Sequence, residues 1–189
     1  NCQLLFTEFV HVKSLFKGKI KIYNDLFFDQ KQKPIIAQLF GSDPEYFQKA
    51  AIVICQLGFD GIDINMGCPA KSVVKKEGGA ALIKNPQLAQ KIIKATKQGV
   101  KDWQNGKTIE DLDELDLEKK EYIRKFSSQI KTNSKQISVS VKTRLGYSKN
   151  IISDWIKYLI EASPDAITVH GRTFAQGDSG QADWEKIAS

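Results

Sequence analysis

The sequence predicts an α/β fold of the TIM (β/α)8 barrel class, present as an incomplete central portion of such a barrel. Apolar strand-like runs alternate with longer segments of helical periodicity along most of the chain. Polar residues stand at the carboxyl ends of several predicted strands, and these ends converge on one mouth only in a barrel. No GxGxxG pattern follows a strand, which disfavours an open dinucleotide-binding sheet.

The first part of the chain contains two predicted strands and a helix after an earlier strand at residues 4–10. Residues 35–39 form an apolar run, and Asp43 then provides the cap of a helix that Gly58 ends. The apolar residues of this helix recur at helical spacing: Phe47, Ala50, Ala51, Ile54 and Leu57. A further strand is predicted at residues 61–65.

The alternation continues in the second half of the chain. Asn85 opens a helix, and a strand is predicted at residues 137–141. An amphipathic helix over residues 151–160 ends before Pro164, and residues 166–169 form the next strand. The sequence therefore predicts five strands, with helices between the later ones.

Residues 102–136 interrupt this rhythm and are predicted to be a charged insertion in the barrel. The segment carries 7 basic and 8 acidic residues. Its apolar residues could line one face of an added helix: Leu112, Leu115, Tyr122, Ile123, Phe126 and Ile130. Because the segment joins a helix to the following strand, we expect it at the bottom of the barrel, and we assign it no catalytic role.

The formal net charge of the whole chain is +6, which suits a polyanionic partner and equally a solvated, lysine-rich surface. The three cysteines include no CxxC pair, so we expect neither a disulfide framework nor a metal site. We also expect no membrane association and a cytoplasmic location, because no apolar run approaches the roughly 20 residues that cross a bilayer. Cys55 lies within an apolar helical pattern, which predicts a core residue.

The most informative segment runs from Asp63 to Lys71, where a predicted strand gives way to a loop with Cys68 before Pro69. A free thiol is mostly protonated at neutral pH, so a cysteine at the mouth of a barrel can act as a general acid. A lone cysteine in a turn is more often structural, and the neighbouring residues decide between these interpretations. The basic loop at residues 71–81 would either close over a bound ligand or remain an ordinary solvated loop.

Three sequence blocks, INMGCPAKSVVKKEGGAAL, SVKTRLG and AITVHGRTFAQGDSGQADW, resemble the signature blocks of tRNA-dihydrouridine synthases in order and approximate spacing. QLFG, which begins at Gln38, fits as a further block. The resemblance covers nearly the whole chain except residues 102–136. It implies a TIM barrel that holds FMN at its mouth, with NADPH or NADH as reductant, and that reduces the C5–C6 double bond of a flipped-out uridine in tRNA.

The resemblance also implies roles for individual residues. Cys68 matches the proton donor to C5 of uridine. Gln38, Lys142 and His170 match flavin contacts, and a cation such as Lys142 would stabilise the anionic reduced flavin. The substrate side would be formed by Asn65, beside the flavin and the incoming base, and by Arg144 and Arg172.

The chain departs from the family pattern by absence. It contains no opening PMAGVTD-like block, no glycine-rich flavin phosphate site and no C-terminal helical RNA-binding domain. We therefore expect residues 1–189 to be part of an FMN-binding barrel. Two alternatives stay open, namely another FMN barrel oxidoreductase of the dihydroorotate dehydrogenase type and a non-catalytic RNA-binding remnant.

Overall fold

The computed structural model describes residues 3–130 and 136–188, and in them one sheet of parallel strands is covered by helices. The strands are β1 (Leu5–Phe6), β2 (Val10–His11), β3 (Ile35–Phe40), β4 (Gly61–Met66), β5 (Ser138–Arg144) and β6 (Ala166–His170). Their order is β1-β3-β4-β5-β6, and β2 also pairs with β3. This half-barrel confirms the predicted fold class.

Seven α-helices accompany the strands in the described residues. They are α1 (Val12–Lys17), α2 (Pro44–Leu57), α3 (Lys71–Val74), α4 (Pro86–Gln104), α5 (Leu117–Ser127), α6 (Ile152–Glu161) and α7 (Trp184–Ala188). Short 3-10 helices span Ile20–Leu26, Gln30–Gln32, Gly79–Lys84 and Ile109–Asp111. None of the helices in this part of the chain has the length and apolar character needed to span a bilayer.

The predicted strand at residues 4–10 is divided into β1 and β2, which pair with successive parts of β3. The division follows from Thr7, whose hydroxyl oxygen accepts a hydrogen bond from the backbone N–H of Gln38 at 3.1 Å. A side chain thus takes a position in the ladder that a backbone carbonyl would otherwise occupy.

Helix α2 begins and ends as the sequence predicts. The side chain of Asp43 accepts a hydrogen bond from the backbone N–H of Glu45, and Gly58 ends the helix in the left-handed conformation with φ of 87°. The helix packs closely on α4, because a Cβ atom added at Gly99 would lie 2.1 Å from the carbonyl oxygen of Gln48. Only glycine permits this approach of the two backbones.

Strand β4 lies in the middle of the sheet, and all six of its residues are buried. Its apolar side chains, including Ile62 and Ile64, join a continuous core with those of β3, β5 and the covering helices. Burial on both faces is typical of a central parallel strand. Cys55 on α2 belongs to the same core, as predicted, with 1% of its surface exposed.

Residues 117–127 of the predicted insertion form helix α5, so the prediction of a helix in this segment is confirmed. The expected helix face is wrong in part, because Leu112 and Leu115 precede the helix, although both are buried. Asp116 caps α5, and the buried Lys119 amine donates to the carbonyl oxygen of Phe16 at 3.0 Å. The helix therefore packs on the outer layer of the fold, against α2. Residues 131–135 of the segment lie outside the described residues.

Candidate active site

The carboxyl ends of β3, β4 and β5 surround a small pocket. In the ladders Gln38 is opposite Asp63, and Asn65 is opposite Lys142. The pocket has a volume of about 240 Å³ and is lined by Phe9, Gln38, Asn65, Gly67, Cys68, Pro69, Lys142 and Arg144. The structure thus brings together Cys68 and four other residues that the sequence predicts for the site.

A chain of hydrogen bonds crosses the floor of this site. The hydroxyl of Ser140 donates to Oδ1 of Asp63 at 2.6 Å, and Nε2 of Gln38 donates to Oδ2 of the same carboxylate at 2.8 Å. Nδ2 of Asn65 then donates to Oε1 of Gln38 at 3.0 Å. Asp63 is 1% exposed, so its carboxylate does not line the pocket and is linked to it by the hydrogen bond from Gln38.

Asn65 also determines the conformation of the loop that carries Cys68. Its Oδ1 accepts hydrogen bonds from the backbone N–H groups of Gly67 at 3.1 Å and Cys68 at 2.9 Å. The carbonyl of Cys68 in turn accepts from the N–H of Ala80. Gly79 has φ of +59°, and a Cβ atom there would lie 2.8 Å from the Cys68 carbonyl oxygen. Glycine is therefore required for the close packing behind the half-exposed cysteine.

Arg144 ties this loop to the loop that follows β6. Its Nε donates to the carbonyl of Gly67 at 2.7 Å, and its Nη1 donates to the carbonyls of Thr173 at 3.3 Å and Gly177 at 3.0 Å. The side chain is 5% exposed, and burial lowers the pKa of the guanidinium below its ordinary value. Most of its donors therefore bind the protein itself, and only its edge lines the pocket.

Lys142 and His170 have unused hydrogen-bonding groups near the pocket. Within residues 3–130 and 136–188, the Lys142 amine donates no hydrogen bond, and the buried Nδ1 of His170 has no partner. Burial lowers the pKa of His170 from 6.5, and the charges of Arg144, Lys142 and Arg172 lower it further. His170 therefore lies among cations, and it is not one of the residues that line the pocket.

Arg172 lies outside the lining of the pocket. Its Nε and Nη2 donate to the carbonyl of Gly180 at 3.0 and 2.8 Å, within the loop after β6. The basic loop at residues 71–81 is folded into α3 and the start of a 3-10 helix, and the hydroxyl of Ser42 holds it through the carbonyl of Lys76 at 2.9 Å.

Sequence reasoning missed Asp63, Ser140 and Thr143. The buried Thr143 accepts from Nε1 of Trp155 at 2.9 Å and donates to the carbonyl of Met66 at 3.3 Å, which fixes the end of β4 against β5. A signal for Asp63 was present, because residues two apart in a strand share a face and Asn65 faces the site.

A larger cavity of about 850 Å³ lies at the opposite ends of the strands, near Ser138 and Asp165. It is open and polar, and the lysines of α4 line one side of it. Its distance from Cys68 along the strands makes it a poor candidate for the chemistry, despite its size. No group of three or more His, Cys, Asp or Glu side chains suited to a metal ion occurs in the described part of the chain.

Comparison with known families decides the class of protein. The family model described as "Dihydrouridine synthase (Dus)" matches residues 1–109 and 116–189. The chain belongs to the dihydrouridine synthase family. The match therefore includes every predicted site residue and omits only residues 110–115, which fall within the predicted insertion.

Curated relatives agree with the family match. A Staphylococcus aureus (strain COL) protein named probable tRNA-dihydrouridine synthase is 32% identical over 187 residues, which are 97% of this chain and 46% of that protein. A Bacillus subtilis (strain 168) protein named probable tRNA-dihydrouridine synthase 2 is 30% identical over the same shares of both chains. The chain spans about half the length of the curated relatives that it matches.

Proposed function

We propose that this chain carries the catalytic centre of a tRNA-dihydrouridine synthase, which reduces the C5–C6 double bond of uridine in tRNA. The observation that carries the proposal is the position of Cys68, at the edge of a pocket formed by Gln38, Asn65 and Lys142, in a member of the dihydrouridine synthase family. Residues 1–189 would form part of the flavin-binding barrel, with residues 102–136 as an insertion.

The reaction is a conjugate reduction and needs two groups from the enzyme. A hydride enters uridine at C6, the electrons move through C5 to the C4 carbonyl oxygen, and the resulting enolate takes a proton at C5. We assign that proton to Sγ of Cys68, which acts as the general acid. The half-exposed thiol lines the pocket, whereas the thiol of Cys55 is enclosed in the core.

The polar side chains of the pocket suit a developing negative charge on a carbonyl oxygen. Asn65 accepts two backbone hydrogen bonds at its oxygen and donates one N–H to Gln38, which leaves its second N–H for a ligand. Gln38 keeps one N–H beyond the one donated to Asp63. The free N–H of Asn65 would stabilise the enolate oxygen in the transition state, whereas the free N–H of Gln38 and the Lys142 amine would remain for the flavin.

The same residues fit a flavin ring. The Lys142 amine lines the pocket and donates no hydrogen bond within the described residues, so a bound heterocycle would give it a partner. We propose that Gln38, Lys142 and His170 hold FMN. Bound FMN, reduced by NADPH or NADH, would supply the hydride equivalent, and the positive charge of Lys142 would favour the anionic reduced ring.

The substrate would be a tRNA with its target uridine turned out of the base stack. We propose that Asn65, Arg144 and Arg172 contact the extruded nucleotide and that the +6 net charge favours binding of the polyanion. Arg144 would contribute through the edge that lines the pocket, because its Nε and Nη1 bind backbone carbonyls. A tRNA substrate also favours a cytoplasmic location.

The experiment is an anaerobic product assay with the full-length protein, FMN and NADPH. Unmodified tRNA and orotate are offered separately, and the products are measured by mass spectrometry. A gain of two hydrogens in a tRNA uridine, with no dihydroorotate formed, is the expected result. Dihydroorotate without modified tRNA would indicate an enzyme of the dihydroorotate dehydrogenase type. Binding of tRNA without bound flavin or product would indicate a non-catalytic RNA-binding remnant.

A further inference from the structure

Asp63 is a buried acid with no assigned part in the reaction. It is 1% exposed, and among the described residues no cation lies within ion-pair distance of its carboxylate. A buried carboxylate without an ionic partner is costly, and here two hydrogen bonds offset that cost, from Ser140 and from Gln38. The second of these links Asp63 to the pocket.

In the hydrogen-bonded series that joins Asn65, Gln38 and Asp63, the neighbouring groups determine which side-chain atom donates and which accepts. The backbone N–H groups of Gly67 and Cys68 can only donate, so the Asn65 side chain must present its oxygen to them and its Nδ2 to Gln38. Gln38 therefore accepts with Oε1 and turns Nε2 toward Asp63, which accepts it. If the Gln38 amide were turned over, its Nε2 would face Nδ2 of Asn65, which is also a donor. Its Oε1 would face Oδ2 of Asp63, which is also an acceptor.

We propose that Asp63 is a positioning residue that, together with Asn65 on the other side, fixes the amide orientation of Gln38. With that orientation the pocket presents one N–H of Gln38 and one N–H of Asn65 to its ligand. It is thereby selective for a heterocycle that turns carbonyl oxygens toward β3 and β4, such as the pyrimidine edge of a flavin or uracil. The choice of ligand rests on the proposed function, whereas the amide orientation does not.

Two variants of the full-length protein separate positioning from folding. In Asp63→Asn the oxygen of the new amide can still accept from Nε2 of Gln38. The NH2 group of the new amide then faces Ser140, whose hydroxyl can accept from it. The exchanged pair Gln38→Glu with Asp63→Asn keeps a hydrogen bond between positions 38 and 63 and an acceptor for Asn65. The carboxylate at position 38 then presents only hydrogen-bond acceptors to the ligand.

The chain offers a matched control. Nε2 of Gln48 donates to Oδ2 of Asp102 at 2.7 Å, between α2 and α4 and outside the pocket. Gln48→Glu with Asp102→Asn repeats the exchange with the same chemistry. Thermal unfolding without ligand and the Kd for FMN, from quenching of flavin fluorescence, are measured for all variants.

We expect Asp63→Asn to bind FMN within about threefold of wild type, and the exchanged pair at positions 38 and 63 to melt like wild type but bind FMN at least about tenfold more weakly. The pair at positions 48 and 102 should bind normally. Wild-type affinity of a folded Asp63→Leu variant, in which Nε2 of Gln38 has lost its acceptor, would overturn the proposal.

A second measurement decides the matter if wild type binds no FMN, a result that contradicts the proposed function alone. The side-chain amide protons of Gln38 and Asn65 are then followed by NMR hydrogen exchange in wild type and in Asp63→Leu. Protection in wild type that is lost in the folded Asp63→Leu variant supports the orienting role of Asp63. Equal exchange in the two proteins overturns it.

Discussion

The guanidinium of Arg144 and the carbonyl of Gly67 are joined by a hydrogen bond of 2.7 Å, one residue before the cysteine of the candidate site. Other donors of the same side chain bind carbonyls in the loop after β6. Arg144 thus connects two loops at the mouth of the half-barrel through its fork of fixed geometry. This connection makes the loop of Cys68 depend on a residue of the neighbouring strand.

Arg144→Met should lower the free energy of unfolding by about 2 to 3 kcal/mol, because it removes charge-assisted hydrogen bonds to buried carbonyls. Arg144→Lys should recover little of this loss, since one amine cannot reach both loops. Urea denaturation measures the effect, with Arg172→Met as the control. Arg172 binds a single carbonyl and is half-buried, so its loss should cost about 1 kcal/mol or less. Equal losses at the two positions would contradict the bridging role of Arg144.

The two described cysteines should differ sharply toward alkylation. Cys68 lines the pocket, whereas burial raises the pKa of the Cys55 thiol to about 12. Iodoacetamide at neutral pH should therefore modify Cys68 in the folded protein and leave Cys55 unmodified. Peptide mapping by mass spectrometry checks this, and Cys68→Ala should remove one modified site while Cys55→Ala removes none. Modification of Cys55 in folded protein would contradict the assignment.

Lowering the pH should destabilise the protein, in part because of His170. In the folded protein its pKa is lowered from 6.5, first by burial and then by Arg144, Lys142 and Arg172. The unfolded chain therefore binds more protons as pH falls below that value, so the contribution to stability is present above pH 6.5 and is lost as the pH falls through the folded pKa. His170→Gln should make the decline in melting temperature from about pH 7.5 to about pH 5 shallower.

His11 provides the comparison, because burial, Lys76 and Lys13 lower its pKa in the same direction. His11→Gln should also reduce the slope, and the effects of the two substitutions should add because they lie on different strands. An unchanged slope in His170→Gln would show that the imidazole has the same pKa in the folded and unfolded chain.

Thr143 and Trp155 should be energetically coupled. Thr143→Val should lower the free energy of unfolding by about 1 to 3 kcal/mol, because it leaves the buried Nε1–H of Trp155 without its acceptor. Trp155→Phe removes that donor, so the double variant should lose less than the sum of the two single losses. Chemical denaturation of the four proteins measures the coupling, and strict additivity would contradict it.

The alternation of strands and helices could be predicted because each element carries its own period and its own caps. Asp43 and Gly58, for example, mark both ends of α2. Residues between β2 and β3 gave no such signal, and their short helices, such as Ile20–Leu26, were not predicted. Leu112 and Leu115 fit a helical period, and their side chains are buried, but their backbone is not helical. Tertiary packing decides between these two backbone conformations.

The members of the site could be predicted in part for a related reason. Strand ends locate Gln38, Asn65 and Lys142 at one edge of the sheet, but not the partners of their side chains. The bond from Gln38 to Asp63 joins residues 25 apart in sequence, on neighbouring strands whose register the sequence alone does not provide. Likewise, a position at a strand end did not reveal that Arg144 is buried against backbone carbonyls.

The measurement that tests the central claim most directly is single-turnover oxidation of the reduced flavin by unmodified tRNA, compared between wild type and Cys68→Ala in the full-length protein. Both proteins should show the absorption band of bound FMN. Flavin oxidation and dihydrouridine formation should be slower in Cys68→Ala by at least about a hundredfold, because the proton for C5 has lost its donor. Dihydrouridine formation at the wild-type rate in Cys68→Ala would contradict the assignment of Cys68 as the acid.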